Sequence, residues 1–180
     1  MKFRPLELEG VVLVEPRVFG DERGFFLETF REDAYREALL DDQDSFVQDN
    51  HSRSRRGVLR GLHFQTRRPQ GKLLRCVAGE IFDVAVDVRP GSPQFGQWVA
   101  VTLSADNKHQ LYVPPGFAHG FQVVSETADV EYKCTDYYDP DGEGGIRWDD
   151  PRLAIPWPVA DPVVSAKDQA LPHLGNPDRP

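Results

Sequence analysis

Short runs of apolar residues that alternate with polar ones fill the chain up to about residue 138, and this period-two pattern predicts β-strands. In the run IFDVAVDV, Phe82 and the valines at 84, 86 and 88 share one face, whereas Asp83 and Asp87 share the other. The runs are rich in β-branched and aromatic residues, and Gly, Pro, Asp or Asn separates many of them. We therefore expect many short strands.

One segment, EDAYREALL at residues 32–40, is predicted to be a short helix with acidic residues in its first turn. Turns recur roughly every 8–12 residues without strand–helix alternation, which is typical of an antiparallel sandwich or barrel. Beyond about residue 139 the chain is Pro-rich and loop-like, and it has no internal repeat or linker. The prediction is an all-β fold in one domain, residues 1–180, with a loop-rich C-terminal segment from about 139.

The run GVLRGLHFQ, residues 57–65, carries two ionisable side chains whose positions conflict. Strict alternation places Arg60 and His63 on opposite faces, so one of them would point inward. A bulge or twist at Gly61 would resolve the conflict. A barrel whose interior is a ligand pocket also gives a reason to bury polar groups. The candidate pocket residues on such strands are Gln48, Asn50, Arg60, His63, Lys72, His119, Tyr132 and Tyr138.

The charge distribution changes the picture of the ligand. The formal net charge is −8, which argues against a nucleic-acid surface. Eight of the 21 Lys and Arg nevertheless lie between residues 51 and 75, and a basic segment in an acidic protein indicates a local anion site. For SRSRR, residues 52–56, a solvated basic loop is the simpler interpretation. Arg60 and Lys72 differ because they lie within or beside apolar strand patterns.

The apolar content and the cysteines indicate the compartment. No window approaches the roughly 18 apolar residues of a membrane span, and the first ten residues lack the apolar core of a secretory signal. We expect a cytoplasmic protein without membrane contact. Cys76 and Cys134 both lie in apolar strand segments, which predicts two buried free thiols.

The segment PPGFAHGF raises the alternative of a metal site. Pro114, Gly116 and His119 resemble the motif that supplies one histidine ligand in cupin jelly rolls. A metal site needs about three protein ligands, ordinarily including a His-x-His pair on an earlier strand. Here the earlier strand has only His63, in GLHFQ. The ligand set is incomplete, so we predict a metal-free jelly roll.

Several long stretches, in order and with matching spacing, are similar to one family. They are FGDERGFFLETF, FVQDNHSRSRRGVLRGLHFQ, QGKLLRCVAGEIFDVAVDVRPGSPQFGQW, YVPPGFAHGFQVVS, YKCTDYYDPDGEGGIRWDDP and SAKD, between about residues 8 and 172. They resemble the dTDP-4-dehydrorhamnose 3,5-epimerases. The resemblance implies a cupin-type antiparallel jelly roll, a homodimer, no cofactor, and conversion of dTDP-4-dehydro-6-deoxy-D-glucose to dTDP-4-dehydro-L-rhamnose, a step in dTDP-L-rhamnose biosynthesis.

The chemistry of that reaction explains the residue types. The 4-keto group acidifies the C3 and C5 protons, so each inversion needs a base, an acid on the opposite face and a donor for the enolate oxygen. The resemblance implies that His63 is the base, with Asp168 of SAKD as its orienting partner. It likewise implies that Tyr132 is the acid and that Lys72 stabilises the enolate, and it places His119 in the substrate pocket.

Other charged residues match the nucleotide end of the family's site. Arg23 and Arg60 correspond to contacts with the diphosphate and nucleotide, where a guanidinium suits phosphate oxygens. Tyr138 corresponds to the aromatic that stacks on thymine. The remaining substrate-binding matches are Glu28, Gln48, Asn50, Glu143 and Lys167.

Three other functions stay open at this point. Relatives that epimerise only C3 or only C5 use much the same base, acid and lysine. A metal-dependent cupin enzyme would require a bound metal, and a non-catalytic binding module would bind dTDP without changing a substrate. The presence of His63, Asp168 and Tyr132 argues against the binding module.

Overall fold

Most of the predicted strands form two facing β-sheets in the computed structural model, which describes residues 1–41 and 44–175. The first sheet has the order β1 (Lys2–Pro5), β2 (Val12–Glu15), β10 (Gln110–Val113), β7 (Lys72–Ala78), β12 (Thr127–Cys134) and β5 (Gln48–Arg55). The second sheet has the order β13 (Glu143–Gly145), β6 (Val58–Gln65), β11 (Phe117–Val123), β8 (Glu80–Asp87) and β9 (Trp98–Ser104), and β14 (Val163–Val164) pairs in parallel with β6. The other pairings are antiparallel, which confirms the all-β jelly-roll prediction.

Three further parts of the chain complete the fold: a hairpin, helix α1 and the C-terminal segment. Strands β3 (Val18–Asp21) and β4 (Gly24–Leu27) pair only with each other and form a hairpin. Helix α1 (Glu32–Leu39) ends one residue before the predicted boundary, and its Tyr35 is fully buried. Beyond residue 139 the chain contains a 3₁₀ turn (Pro140–Gly142), β13, β14 and the short helix α2 (Ala166–Gln169).

Three apolar clusters hold these layers together. Side chains of both sheets, among them Leu74 and Phe117, form the cluster between the sheets. Val84 and Val86 belong to a second cluster on the outer face of the second sheet, covered by residues 146–174 of the C-terminal segment. Helix α1 covers the outer face of the first sheet with a third cluster around Tyr35. Burial of apolar surface is the main favourable contribution to such packing.

The outer cluster also decides which face of β8 points inward. The parity predicted for IFDVAVDV is correct, but its valine face packs under the C-terminal segment rather than between the sheets. Asp83 and Asp87 share parity with Ile81 and Ala85, which pack between the sheets, and both carboxylates are fully buried there. Asp87 accepts hydrogen bonds from Arg89 and Ser92, whereas Asp83 faces the interior next to His119.

Strand β6 is irregular at the predicted position. Against β11, His63 pairs with His119 and Arg60 pairs with Phe121, so three steps along β6 oppose two along β11. One surplus residue reverses the alternation, and it therefore brings Arg60 and His63 to the same side of the sheet. Gly61, between them, has φ +124° and a would-be Cβ only 2.6 Å from the Cα of Gly120. Only glycine fits here, which confirms the expected bulge.

Two further sequence expectations, on the cysteines and on residues 52–56, can be compared with the structure. Cys76 and Cys134 are buried and free, as predicted. The solvated-loop interpretation of residues 52–56 is wrong, because Ser52 to Arg55 continue strand β5, paired with β12. No helix in the described ranges is long and apolar enough to cross a membrane.

Candidate active site

A cavity of about 770 Å³ lies between the two sheets and is open on one side. Its walls come from both sheets, with α2 and the residues around Tyr138 at its rim. Eleven predicted site residues line it: Gln48, Asn50, Arg60, His63, Lys72, His119, Tyr132, Tyr138, Glu143, Lys167 and Asp168. The fold therefore gathers residues from positions 48 to 168 into one polar chamber of the size that a small-molecule ligand needs.

His63 and Asp168 form a hydrogen-bonded pair on the wall of the second sheet. The Nε2 atom of His63 lies 2.8 Å from Oδ1 of Asp168, and the backbone N–H of Gly61 donates to Oδ2 at 3.3 Å. Helix α2 orients Asp168 because its N-cap Ser165 accepts the Asp168 N–H at 3.0 Å. The bulge at Gly61 thus turns His63 towards the cavity, and the N–H of Gly61 donates a hydrogen bond to Asp168.

The protonation of this pair follows from its bonds. Burial by itself raises the pKa of Asp168, but the hydrogen bond from His63 and the N–H of Gly61 outweigh burial and lower it. Asp168 is therefore a carboxylate, which can only accept, so Nε2 of His63 carries a proton. Nδ1 is left as the nitrogen that can take a proton from a ligand.

A second histidine–aspartate pair lies beside the first. His119 is the direct cross-strand neighbour of His63, and its Nε2 is 3.0 Å from each carboxylate oxygen of Asp83. His119 is 7% exposed and Asp83 is fully buried. Because the carboxylate of Asp83 holds the proton on Nε2, Nδ1 is the ring nitrogen of His119 that is not bonded to a carboxylate. Sequence reasoning missed Asp83, although its parity opposite the valines of β8 was visible.

The facing wall carries a phenol and an amine. Tyr132 of β12 is half-buried, and desolvation raises its pKa, so the hydroxyl is protonated at neutral pH and can donate a proton. Lys72 of β7 is within 3.4 Å of the backbone oxygen of His63. Burial lowers the pKa of Lys72, and in the described part of the chain no carboxylate lies within ion-pair distance of it. The amine is therefore poised to bind an anionic oxygen.

A polar network occupies the rim of the cavity. The hydroxyl of Tyr138 and the amine of Lys167 both donate to Oε2 of Glu143, each at 2.5 Å. Gln48 bonds Asn50 at 3.1 Å and accepts the backbone N–H of Tyr138 at 3.0 Å. Tyr138 is 50% exposed, so its ring is available to a planar ligand group.

Six of the eight Lys and Arg between residues 51 and 75 are either paired with carboxylates or face the cavity. Arg53 bonds Asp129 at 2.6 Å, Arg67 bonds Asp139 at 2.9 Å, Arg75 bonds Glu131 at 2.7 Å, and Arg68 bonds Asp136. Arg60 and Lys72 instead line the cavity, and the described residues give Arg60 only a bond to Ser54, at 3.1 Å. These two cations favour an anionic ligand.

Two predicted substrate-binding residues, Arg23 and Glu28, lie outside this cavity, so their role stays a prediction. Arg23, at the tip of the hairpin, is exposed and bonds Asp21 at 2.5 Å. Glu28 follows β4 and has Arg31 at 4.0 Å. Neither lines the cavity, because β3 and β4 pair only with each other and leave both sheets.

The metal alternative finds no ligand group in the described ranges. There, no three His, Cys, Asp or Glu side chains are grouped so that they could hold a metal ion. His119, the residue that matches the cupin metal motif, directs Nε2 to Asp83 instead.

Comparisons with known proteins identify the family of this chain. The family model described as dTDP-4-dehydrorhamnose 3,5-epimerase matches residues 5–176. A curated relative of that name from Pseudomonas aeruginosa is 58% identical over 170 residues, covering 94% of this chain and 93% of the relative. The crystal structure of a Legionella pneumophila dTDP-6-deoxy-D-glucose-3,5-epimerase in complex with dTDP-4-keto-L-rhamnose has a TM-score of 0.92 and 54% identity, covering 96% of this chain and 92% of that one.

A more distant solved structure has a different reaction scope. It is a 3'-monoepimerase from Streptomyces bikiniensis in complex with dTDP-quinovose, with a TM-score of 0.90 and 35% identity over 98% of this chain and 89% of that one. The family model and the relatives at more than half identity nevertheless point to one assignment. The chain belongs to the dTDP-4-dehydrorhamnose 3,5-epimerase family.

Proposed function

We propose that the protein is an isomerase that converts dTDP-4-dehydro-6-deoxy-D-glucose to dTDP-4-dehydro-L-rhamnose by inverting C3 and C5, a step in dTDP-L-rhamnose biosynthesis. The single observation that carries this proposal is the pairing of His63 and Asp168 on one wall of a cavity whose other wall holds Tyr132 and Lys72. Inversion needs proton transfer on two faces of one carbon, and two facing sheets supply groups on both.

Proton removal is assigned to His63. Its Nδ1 takes the C3 or C5 proton, which the neighbouring 4-keto group acidifies, and the electrons pass to the carbonyl oxygen. Asp168, bonded to Nε2 at 2.8 Å, holds the imidazole in the required tautomer and stabilises the imidazolium that forms. Each inversion leaves His63 protonated and Tyr132 deprotonated, so His63 releases its proton to solvent and Tyr132 takes one up from solvent before the next inversion.

Proton return and charge stabilisation are assigned to the opposite wall. The Tyr132 hydroxyl gives its proton to the far face of the enolate, and the desolvation that raises its pKa keeps it protonated beforehand. Lys72 binds the enolate oxygen, and the negative charge that develops there offsets the desolvation of the ammonium. His119, held by Asp83, is a further polar contact for the sugar.

The nucleotide is assigned to the rim. Arg60 binds the diphosphate, Tyr138 stacks on the base, and Glu143 and Lys167 contact the nucleoside. Gln48 and Asn50 complete the substrate-binding set. This arrangement leaves the sugar in the deeper part of the cavity, next to His63.

We also propose a homodimer in which the hairpin completes the neighbouring subunit's site. Val18, Phe19, Phe25 and Phe26 of the hairpin are 43, 50, 62 and 70% exposed, an apolar surface that a second copy would cover. Such docking would carry Arg23 and Glu28, which lie outside their own cavity, towards the partner's nucleotide. The proposed compartment is the cytoplasm, where the free thiols of Cys76 and Cys134 stay reduced.

The scope of inversion has a specific alternative, because the similar Streptomyces bikiniensis structure is a 3'-monoepimerase. One experiment tests function and scope together: incubation with dTDP-4-dehydro-6-deoxyglucose in D₂O, followed by NMR of C3 and C5. We expect deuterium and inverted configuration at both carbons. Inversion at C3 alone would replace the proposal by the monoepimerase, and no exchange at either carbon would reject the enzyme class.

A further inference from the structure

Two buried side-chain oxygens in residues 1–41 and 44–175 have no hydrogen-bond partner, Ser52 Oγ and Gln65 Oε1. Both residues line the cavity. Folded proteins pair nearly all buried polar atoms, so an exception at a cavity wall indicates a group whose partner is a ligand. Gln65 is the stronger case, because it is 6% exposed whereas Ser52 is only partly buried.

The other buried glutamines show that this chain normally satisfies such amides. Gln70 donates to the backbone oxygen of Asp136 at 2.7 Å, and Gln110 donates to that of Thr29 at 2.8 Å. Gln122 uses both ends of its amide on the backbone of Val159, at 2.8 and 2.9 Å. Gln65 is therefore the exception among four buried glutamines.

The position of Gln65 relates it to the reacting end of the site. It lies two residues beyond His63 on β6, on the same face, since Leu62 and Phe64 pack into the outer cluster instead. At about 3.3 Å per residue, its Cα is roughly 6–7 Å from that of His63. This separation is within reach of one sugar ring held at the imidazole.

Chemistry and depth select the part of the ligand that Gln65 can bind. A carboxamide oxygen is an acceptor and needs an O–H or N–H donor, which a diphosphate does not offer at neutral pH. The proposed nucleotide end is at the rim, where Tyr138 is 50% exposed and Lys167 is exposed. Gln65 is as deeply buried as His119, at 6% against 7%. Its cross-strand partner Glu143 belongs to the rim network, so Gln65 lies between the two ends of the site, and the hydroxyls at C2 and C3 of the sugar are the donors on the His63 side.

We propose that Gln65 is a substrate-specificity residue whose Oε1 accepts a hydrogen bond from a hydroxyl of the 4-keto sugar. The inference rests on the proposed function, because it assumes a sugar nucleotide in the cavity. Sugars that lack this hydroxyl would leave Oε1 unpaired and would be discriminated against, since a buried polar group without a partner disfavours the bound state.

The test compares Gln65→Met with Gln122→Met as a matched control on the neighbouring strand. Dissociation constants for dTDP and dTDP-glucose are measured by calorimetry, together with the melting temperature. For Gln65→Met we expect dTDP-glucose to bind roughly three- to tenfold more weakly, with unchanged dTDP binding and an unchanged or higher melting temperature. For Gln122→Met we expect a lower melting temperature and an unchanged ratio of the two constants. Gln65→Leu serves as a second variant if methionine perturbs the fold.

An unchanged dTDP-glucose constant in Gln65→Met would overturn the inference, and so would an equal loss for dTDP. A melting temperature lowered as much as in the control, with no change in the ratio of constants, would assign Gln65 to structure instead. Because binding is measured without turnover, these results are separate from the D₂O experiment, which tests the reaction on the unmodified protein.

Discussion

The sharpest test of the proposed base is Asp168→Asn, because the structure predicts what the amide would break. Both carboxylate oxygens accept hydrogen bonds, Oδ1 from His63 at 2.8 Å and Oδ2 from the N–H of Gly61 at 3.3 Å. An asparagine offers one oxygen and one NH₂ group, so it can satisfy only one of these donors. If the oxygen turns to Gly61, the NH₂ group faces Nε2 of His63 and forces the proton onto Nδ1. The base atom is then blocked.

The magnitude follows from these two orientations. With Nδ1 protonated, catalysis by the base is lost, and we expect kcat to fall about 10³–10⁴-fold, as for a triad aspartate changed to asparagine. With the oxygen turned to His63 instead, the N–H of Gly61 is left without an acceptor. The unpaired N–H lowers the free energy of unfolding by about 1–3 kcal/mol, which lowers the melting temperature of a chain of this size by roughly 3–10 °C.

The stability loss should depend on pH. The pKa of Asp168 is lowered in the folded protein, so its carboxylate contributes stability that is present above the unfolded value of about 3.9. That contribution is lost as the pH falls through the folded pKa. The difference in melting temperature between parent and Asp168→Asn should therefore be largest near neutral pH and shrink below about pH 4.

The assay is deuterium uptake at C3 and C5 followed by NMR, with dTDP affinity and circular dichroism as controls for folding. Exchange at both carbons should fall with kcat, while dTDP binding stays near the parent value because Asp168 makes none of the hydrogen bonds of the rim network. Exchange within about tenfold of the parent would refute the assignment of Asp168 as the partner that orients His63.

The remaining predictions address the other groups. His63→Ala should lower the rate of deuterium uptake at both carbons about 10²–10⁴-fold, and substantial exchange at either carbon would reject the assignment of one base to both steps. Tyr132→Phe keeps the ring but removes the donor, so deuterium should enter with retained configuration while inversion falls; inversion at the parent rate would mean another acid. Activity should survive exhaustive chelation, whereas loss by EDTA that one divalent ion restores would favour the metal-dependent alternative. Mixing Arg23→Ala with His63→Ala after subunit exchange should restore about a quarter of the parent activity, since one site of each hybrid dimer is intact; no recovery would contradict the shared site.

Local pattern was sufficient for most of the strands, for helix α1 and for eight of the residues that line the cavity. Alternation reports which residues share a face, and this information is contained in neighbouring positions. Together with the resemblance of the motifs, it predicted eleven of the residues that line the cavity. The parity of Gln65 with His63 was equally visible, but nothing local distinguished a cavity-facing amide from a satisfied one.

Only the tertiary structure decided which face is inside and where distant residues meet. The register between β6 and β11 shifts at Gly61, and this shift brings Arg60 and His63 to one side. Residues 146–174 cover the valine face of β8, so the opposite face of this strand points inward and brings Asp83 to His119. The hairpin leaves both sheets and carries Arg23 away from its own cavity. Register, layer order and docking depend on contacts between residues far apart in sequence, so periodicity along the chain does not contain them.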